Sequence, residues 1–175
     1  EFCVAEFSFD TAEECAYNGN PASPGQKIQR IIHAECMVCI RQKILVLPQA
    51  GSVLALVPTA QITEEQLRAC FLRIVDRAQR ECTVHLLVGV GESKRYLDEI
   101  KVSRDEASTA IRTGAGRKEQ VFFYREQGIY ILLSQIKDSR ILDTYVENQL
   151  GKLLRADEIN GGNLCQTLEN YLECS

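Results

Sequence analysis

Between residues 2 and 124 the chain is written in short apolar blocks. Their period switches between the two-residue repeat of a strand and the repeat of about 3.6 residues of a helix. FCVAEFSF, residues 2–9, reads as a first strand. NGNPASPG follows as a loose segment of turn formers. Ser23-Pro24 opens a helix with proline in the first turn, and Ile28, Ile31, Ile32, Cys36, Cys39 and Ile40 recur at helical spacing. Two apolar runs, Ile44–Pro48 and Val53–Val57, flank Gln49-Ala50-Gly51-Ser52, which predicts a β-hairpin turning at its glycine. Thr63-Glu64-Glu65-Gln66 is a capping box for a helix with Leu67, Cys70, Phe71, Ile74, Val75 and Ala78 on one face. TVHLLVGVG, from Thr83, is apolar nearly throughout and predicts a buried strand. Ser103-Arg104-Asp105-Glu106 predicts a second capped helix that ends near Thr113-Gly114, where the glycine would take a left-handed cap. QVFFY, residues 120–124, predicts the last strand.

The predicted order is β-α-β-β-α-β-α-β. Its β-α-β-β-α-β part is the split, ferredoxin-like arrangement, an α+β fold with helices on one face of an antiparallel sheet. After Gly128 the pattern is helical only, through IYILLSQI, ILDTYVENQLGKLL and NLCQTLENYLECS. This divides the chain into an α+β domain, 1–126, and a helical extension, 127–175. In the extension Leu164, Leu168, Tyr171 and Leu172 form a narrow apolar stripe. The stripe stops with the chain and without a cap, as expected of a piece of a longer protein.

Composition narrows the function classes. With 45% hydrophobic and 25% charged residues, the 175-residue chain has the makeup of a globular protein with a full core. A net charge of −4 with scattered Lys and Arg argues against a nucleic-acid grip by these residues. No apolar run is long enough to cross a bilayer and no signal peptide is evident, so a cytoplasmic protein without a membrane partner is expected. The eight cysteines sit among aliphatic neighbours and read as reduced and buried. Cys36-x-x-Cys39 has no second pair at zinc spacing. His33 and His85 lack partners at a catalytic spacing and read as core or boundary histidines. Gly89-Val90-Gly91 reads as a strand end rather than a phosphate cradle, and Gly114-Ala115-Gly116-Arg117-Lys118 as a helix cap with a basic turn. Asp157-Glu158 reads as a turn and helix start, because a calcium loop needs more oxygens.

The core resembles the GGDEF domain of diguanylate cyclases in altered form. VLALVP is similar to the strand that follows that family's Gly-Gly-Asp-Glu-Phe signature, which sets Gln49-Ala50-Gly51-Ser52-Val53 on the signature. RDEASTAIRTGAGRKEQVFFY resembles a second family stretch through Ala107, Gly116, Arg117, Val121 and Tyr124. The C-terminal part resembles PucR/CdaR-type bacterial transcription regulators. EQGIYILLSQI carries that likeness, as do Leu150, Gly151, Leu153, Leu154, Asp157, Leu164, Thr167, Leu168, Tyr171 and Leu172. In those regulators a DNA-binding helix-turn-helix follows.

The resemblance implies a pocket of Asp10, Gln49, Gly51 and Ser52. The positions of the family's acidic pair are here Gly51 and Ser52, both neutral. A hard cation such as Mg²⁺ takes oxygens, usually with one or two carboxylates. The expectation is therefore no catalytic residue, no metal and no cofactor. What remains is a regulatory and dimerisation module, with Tyr145, Leu164, Leu168 and Leu172 as contact residues. DNA would be bound only through the absent helix-turn-helix, and a small-molecule effector is the alternative partner, held in a vestigial cyclase pocket.

Overall fold

A computed structural model describes residues 1–9, 24–136 and 138–173. The elements run β1 (Phe2–Phe9), α1 (Pro24–Cys39), β2 (Leu45–Gln49), β3 (Ser52–Pro58), α2 (Glu64–Cys82), β4 (Leu86–Val90), α3 (Ile100–Gly114) and β5 (Val121–Phe123). Three further helices follow: α4 (Ile129–Ser134), α5 (Ser139–Asn160) and α6 (Leu164–Glu173). The chain divides into two compact units, Glu1–Ile131 and Leu132–Ser175. The fold is α+β, in the element order that the hydrophobic periods predict.

The five strands form one sheet in the order β2-β3-β1-β4-β5. β1 pairs antiparallel with both β3 and β4, placing Phe7 opposite Val53 and Val88. β4 and β5 are parallel, so the sheet is mixed rather than wholly antiparallel. A parallel pair needs a crossover, and α3 supplies it.

Alternation along β1 sorts residues to the two faces. Cys3, Ala5, Phe7 and Phe9 join Val53, Ala55, Val57, Leu86, Val88 and Val90 in a core covered by α1 and α2. There Phe7 meets Phe71 of α2 edge to face, with ring centroids 5.4 Å apart. The Thr63 capping box that starts α2 is formed in both directions, at 3.0 and 3.3 Å. Buried Glu35 of α1 accepts from Arg73 and Arg77 of α2, each at 3.0 Å, and ties the two helices together. Burial pushes its carboxyl up, but the Arg77 and Arg73 hydrogen bonds outweigh this and hold it below the usual glutamate range.

The expectation of helices on one face holds for α1 and α2 and fails at α3. That helix lies on the opposite face, with Ser103, Ala107, Ala110 and Gly114 buried along one side. Small residues let its backbone come against Gly89 and Gly91 of β4. A Cβ on Gly89 would sit 2.0 Å from the Ala107 carbonyl oxygen, and one on Gly91 2.0 Å from that of Ser103.

Two predicted helix ends are also corrected. Ser103 is not a cap, since a 3-10 turn (Leu97–Glu99) leads into α3 at Ile100. The Ser103 hydroxyl accepts from the Val4 N–H at 2.9 Å and donates to the Glu92 carbonyl at 3.0 Å. Gly114 is the last residue of α3 and shows no positive φ; the left-handed residue is Gly116, φ 94°. Gly114 is small for packing reasons: a Cβ there would lie 2.3 Å from the Phe122 ring. His33 and His85 are exposed rather than in the core or at its boundary, and Cys39 is exposed as well.

Candidate functional site

The β2–β3 hairpin brings the predicted pocket residues to one pole of the sheet. Gln49 pairs with Ser52 across the turn, and Gly51 takes φ 76°, which a side chain would strain. The Phe9 N–H donates to the Gly51 carbonyl at 3.0 Å, so the turn is held against the end of β1. Gln49 is exposed, Gly51 half-buried and Ser52 buried. Asp10, the one carboxylate expected there, lies outside the described residues. The tip offers an amide, a hydroxyl and backbone atoms, without a carboxylate between Gln49 and Ser52. Among the described residues no three His, Cys, Asp or Glu side chains are grouped so as to hold a metal ion.

The cavity lies elsewhere. A space of about 560 Å³ opens at the opposite pole, where Phe2 pairs with Pro58, and neither Gln49, Gly51 nor Ser52 lines it. The two poles are roughly 20 Å apart along β1. Residues as distant in sequence as Cys3, Leu67, Val90 and Phe123 form the cavity together, and short-range pattern reading cannot anticipate such a set.

A third arrangement was also hidden in the sequence. Cys70 of α2 approaches the Cys36-x-x-Cys39 turn of α1, with the Cys36 and Cys70 sulfurs 4.0 Å apart. Cys3, Cys36, Cys39, Cys70 and Cys165 are free thiols. The hydrogen bond with Cys36, then burial, push the Cys70 thiol up, and burial raises Cys39. Cys36 and Cys70 are both buried and face each other as packing partners between α1 and α2.

In the C-terminal unit, Tyr145 lies on α5, and Leu164, Leu168 and Leu172 recur every four residues on α6. All four are exposed. Asp157 is not a helix start, since it sits inside α5. Its carboxylate accepts the N–H groups of Leu164 at 2.8 Å and Cys165 at 2.9 Å, across the left-handed Gly161. These bonds, that from Cys165 foremost, lower its pKa. A carboxyl lowered on folding stabilises above its unfolded pKa, and that contribution fades as pH falls through the folded value. Hydrogen exchange at the Leu164 and Cys165 amides is therefore expected to quicken, relative to neighbouring α6 amides, below the ordinary aspartate range. Asp157→Ala should produce the same loss of protection already at neutral pH.

No helix among the described residues is long and apolar enough to cross a membrane. No curated protein matches the chain. The sequence profile of the GGDEF-like domain matches residues 2–113, from β1 almost to the end of α3. That stretch holds the hairpin whose tip is neutral, the strand pair β1–β4 and the glycines that admit α3. It covers more than half of the chain, and the chain belongs to the GGDEF-like domain family.

Proposed function

We propose that this chain is a non-catalytic regulatory and dimerisation module of a cytoplasmic transcription regulator, passing an effector signal to a downstream helix-turn-helix. The observation that carries the reading is the hairpin tip. Where the cyclase resemblance implies an acidic pair, Gly51 and Ser52 stand, and Ser52 is buried. A nucleotide triphosphate with two metal ions needs carboxylates to share the cation charge and donors to stabilise the leaving group. A neutral amide and a buried hydroxyl supply neither. What this pole retains is the hairpin's structural use, closing β2 on β3 and anchoring β1.

The regulatory half of the proposal rests on the C-terminal helices. Their resemblance to PucR/CdaR-type regulators supports it, and so does the exposed apolar stripe of α6. Dimeric regulators read half-sites about one helical turn apart, so a module that sets the geometry of a dimer sets the affinity of its DNA-reading units. Leu168→Glu with Leu172→Glu is expected to weaken self-association at least about tenfold in sedimentation velocity, with unchanged circular dichroism. An unchanged dimer constant in the folded double variant would remove these residues from the interface.

A further inference from the structure

The connections after β3 and β4 leave the sheet on opposite sides. β3 leads into α2 on one face, and β4 leads into α3 on the other. β3, β4 and β5 run in the same direction, so their carboxyl ends, at Pro58, Val90 and Phe123, come to one pole. In open, mostly parallel sheets such a divergence leaves a crevice outside the carboxyl ends of the strands, where ligands bind; here antiparallel β1 lies between β3 and β4, and its amino end at Cys3 joins the crevice. The cavity of about 560 Å³ occupies this crevice and falls within the usual size of small-molecule sites.

Its lining has two chemistries. The floor is apolar, formed by Cys3, Leu67, Val90 and Phe123, all nearly inaccessible to solvent. Burial pushes the Cys3 thiol up to about 12, so the floor carries no charge at neutral pH. The rim carries both signs. Arg125 donates to Glu64 at 3.0 Å, with the arginine side chain 68% exposed. Glu92 also borders the cavity, 3.9 Å from Lys94, whose ammonium is committed to Glu106 at 2.7 Å. The largely exposed Arg125–Glu64 pair is worth about 1 kcal/mol or less, so a ligand can exchange it.

We infer that this crevice is a binding site for a small zwitterion with a large apolar side chain, an aromatic α-amino acid being the simplest example. The side chain would lie on the apolar floor. The ammonium would meet Glu64 and Glu92, and the carboxylate Arg125. A ligand with a carboxylate alone would draw Arg125 from Glu64 and leave two glutamates uncompensated. A ligand with an ammonium alone would meet the glutamates but gain no contact with Arg125, which stays paired with Glu64. A ligand of both signs engages Arg125 as well as the glutamates while its side chain covers the apolar floor. The inference goes beyond the regulatory reading and stands or falls apart from it, since the site is complete within the first unit.

Isothermal titration calorimetry of the whole chain with L-phenylalanine, 3-phenylpropionate and phenethylamine tests it. These three share a ring and differ in their charged groups. Phenylalanine is expected to bind saturably, at least about tenfold more tightly than either singly charged analogue. Its amide shift changes should cluster at Gly91, Ser93 and Arg125. Arg125→Ala, at an exposed side chain that leaves the core intact, should weaken phenylalanine about tenfold and should not weaken phenethylamine. Absence of saturable heat with phenylalanine would overturn the proposal. So would equal affinity for all three probes, or shifts centred on Gln49 and Ser52.

Discussion

Gly89→Val is expected to lower the melting temperature by roughly 10 °C. A Cβ at Gly89 would lie 2.0 Å from the Ala107 carbonyl oxygen and 2.7 Å from Ile111. The obstructing atom is helix backbone, which cannot swing aside as a side chain would. Relief requires α3 to lift from β4, and that separation would reach the neighbouring contacts of Ser103 and Gly114. Overpacking a tight core costs about 1–3 kcal/mol, and a backbone clash belongs at or above the upper end. Differential scanning fluorimetry beside the wild type checks the size of the effect. A change under about 2 °C would mean that α3 does not lie this close to β4.

Phe71→Ala should cost about 3–5 kcal/mol, the range for removing a buried aromatic side chain. Phe71 has no solvent exposure and stands at right angles to Phe7, so its loss empties the junction between α2 and the centre of the sheet. Chemical denaturation should show a lower midpoint with the slope nearly preserved, because the surface exposed on unfolding hardly changes. A loss below about 1 kcal/mol would show that the two helices collapse onto the sheet without this ring. The two substitutions act on opposite faces of the sheet, so their effects should add in the double variant.

The order of elements was legible because each apolar block carried its own period and its own punctuation. Thr63 and Gln66 announced α2 correctly, since a capping box is a local device whose partners sit three residues apart. Ser103 and Glu106 have the same spacing and misled, because both side chains are engaged elsewhere. Ser103 serves Val4 and Glu92, and Glu106 receives the Glu92 N–H and the Lys94 ammonium. Local pattern cannot see a partner 99 residues away. The same limit applies to Gly114, read as a turn glycine but small because Phe122 packs on it. It applies also to the face chosen by α3, which only the glycines of β4 decide.

The site was legible in part. The neutral hairpin tip is a contiguous stretch, and the turn its glycine predicts forms there, held against the end of β1. The crevice at the other pole was invisible for the opposite reason. Its floor and rim come from four stretches far apart in sequence: Cys3 of β1, Thr59 to Leu67 around the start of α2, Val90 to Ser93 at the end of β4, and Phe123 to Arg125 at the end of β5. The third thiol at Cys36-x-x-Cys39 was hidden likewise, since Cys70 arrives on another helix.

Native mass spectrometry of the whole chain with GTP and Mg²⁺, over a range of micromolar concentrations, tests the proposed function most directly. The account predicts a dimer at twice the chain mass of 19.7 kDa, free of nucleotide and with the GTP left unconverted. A monomer throughout, a nucleotide-laden species or a cyclic dinucleotide product would contradict it.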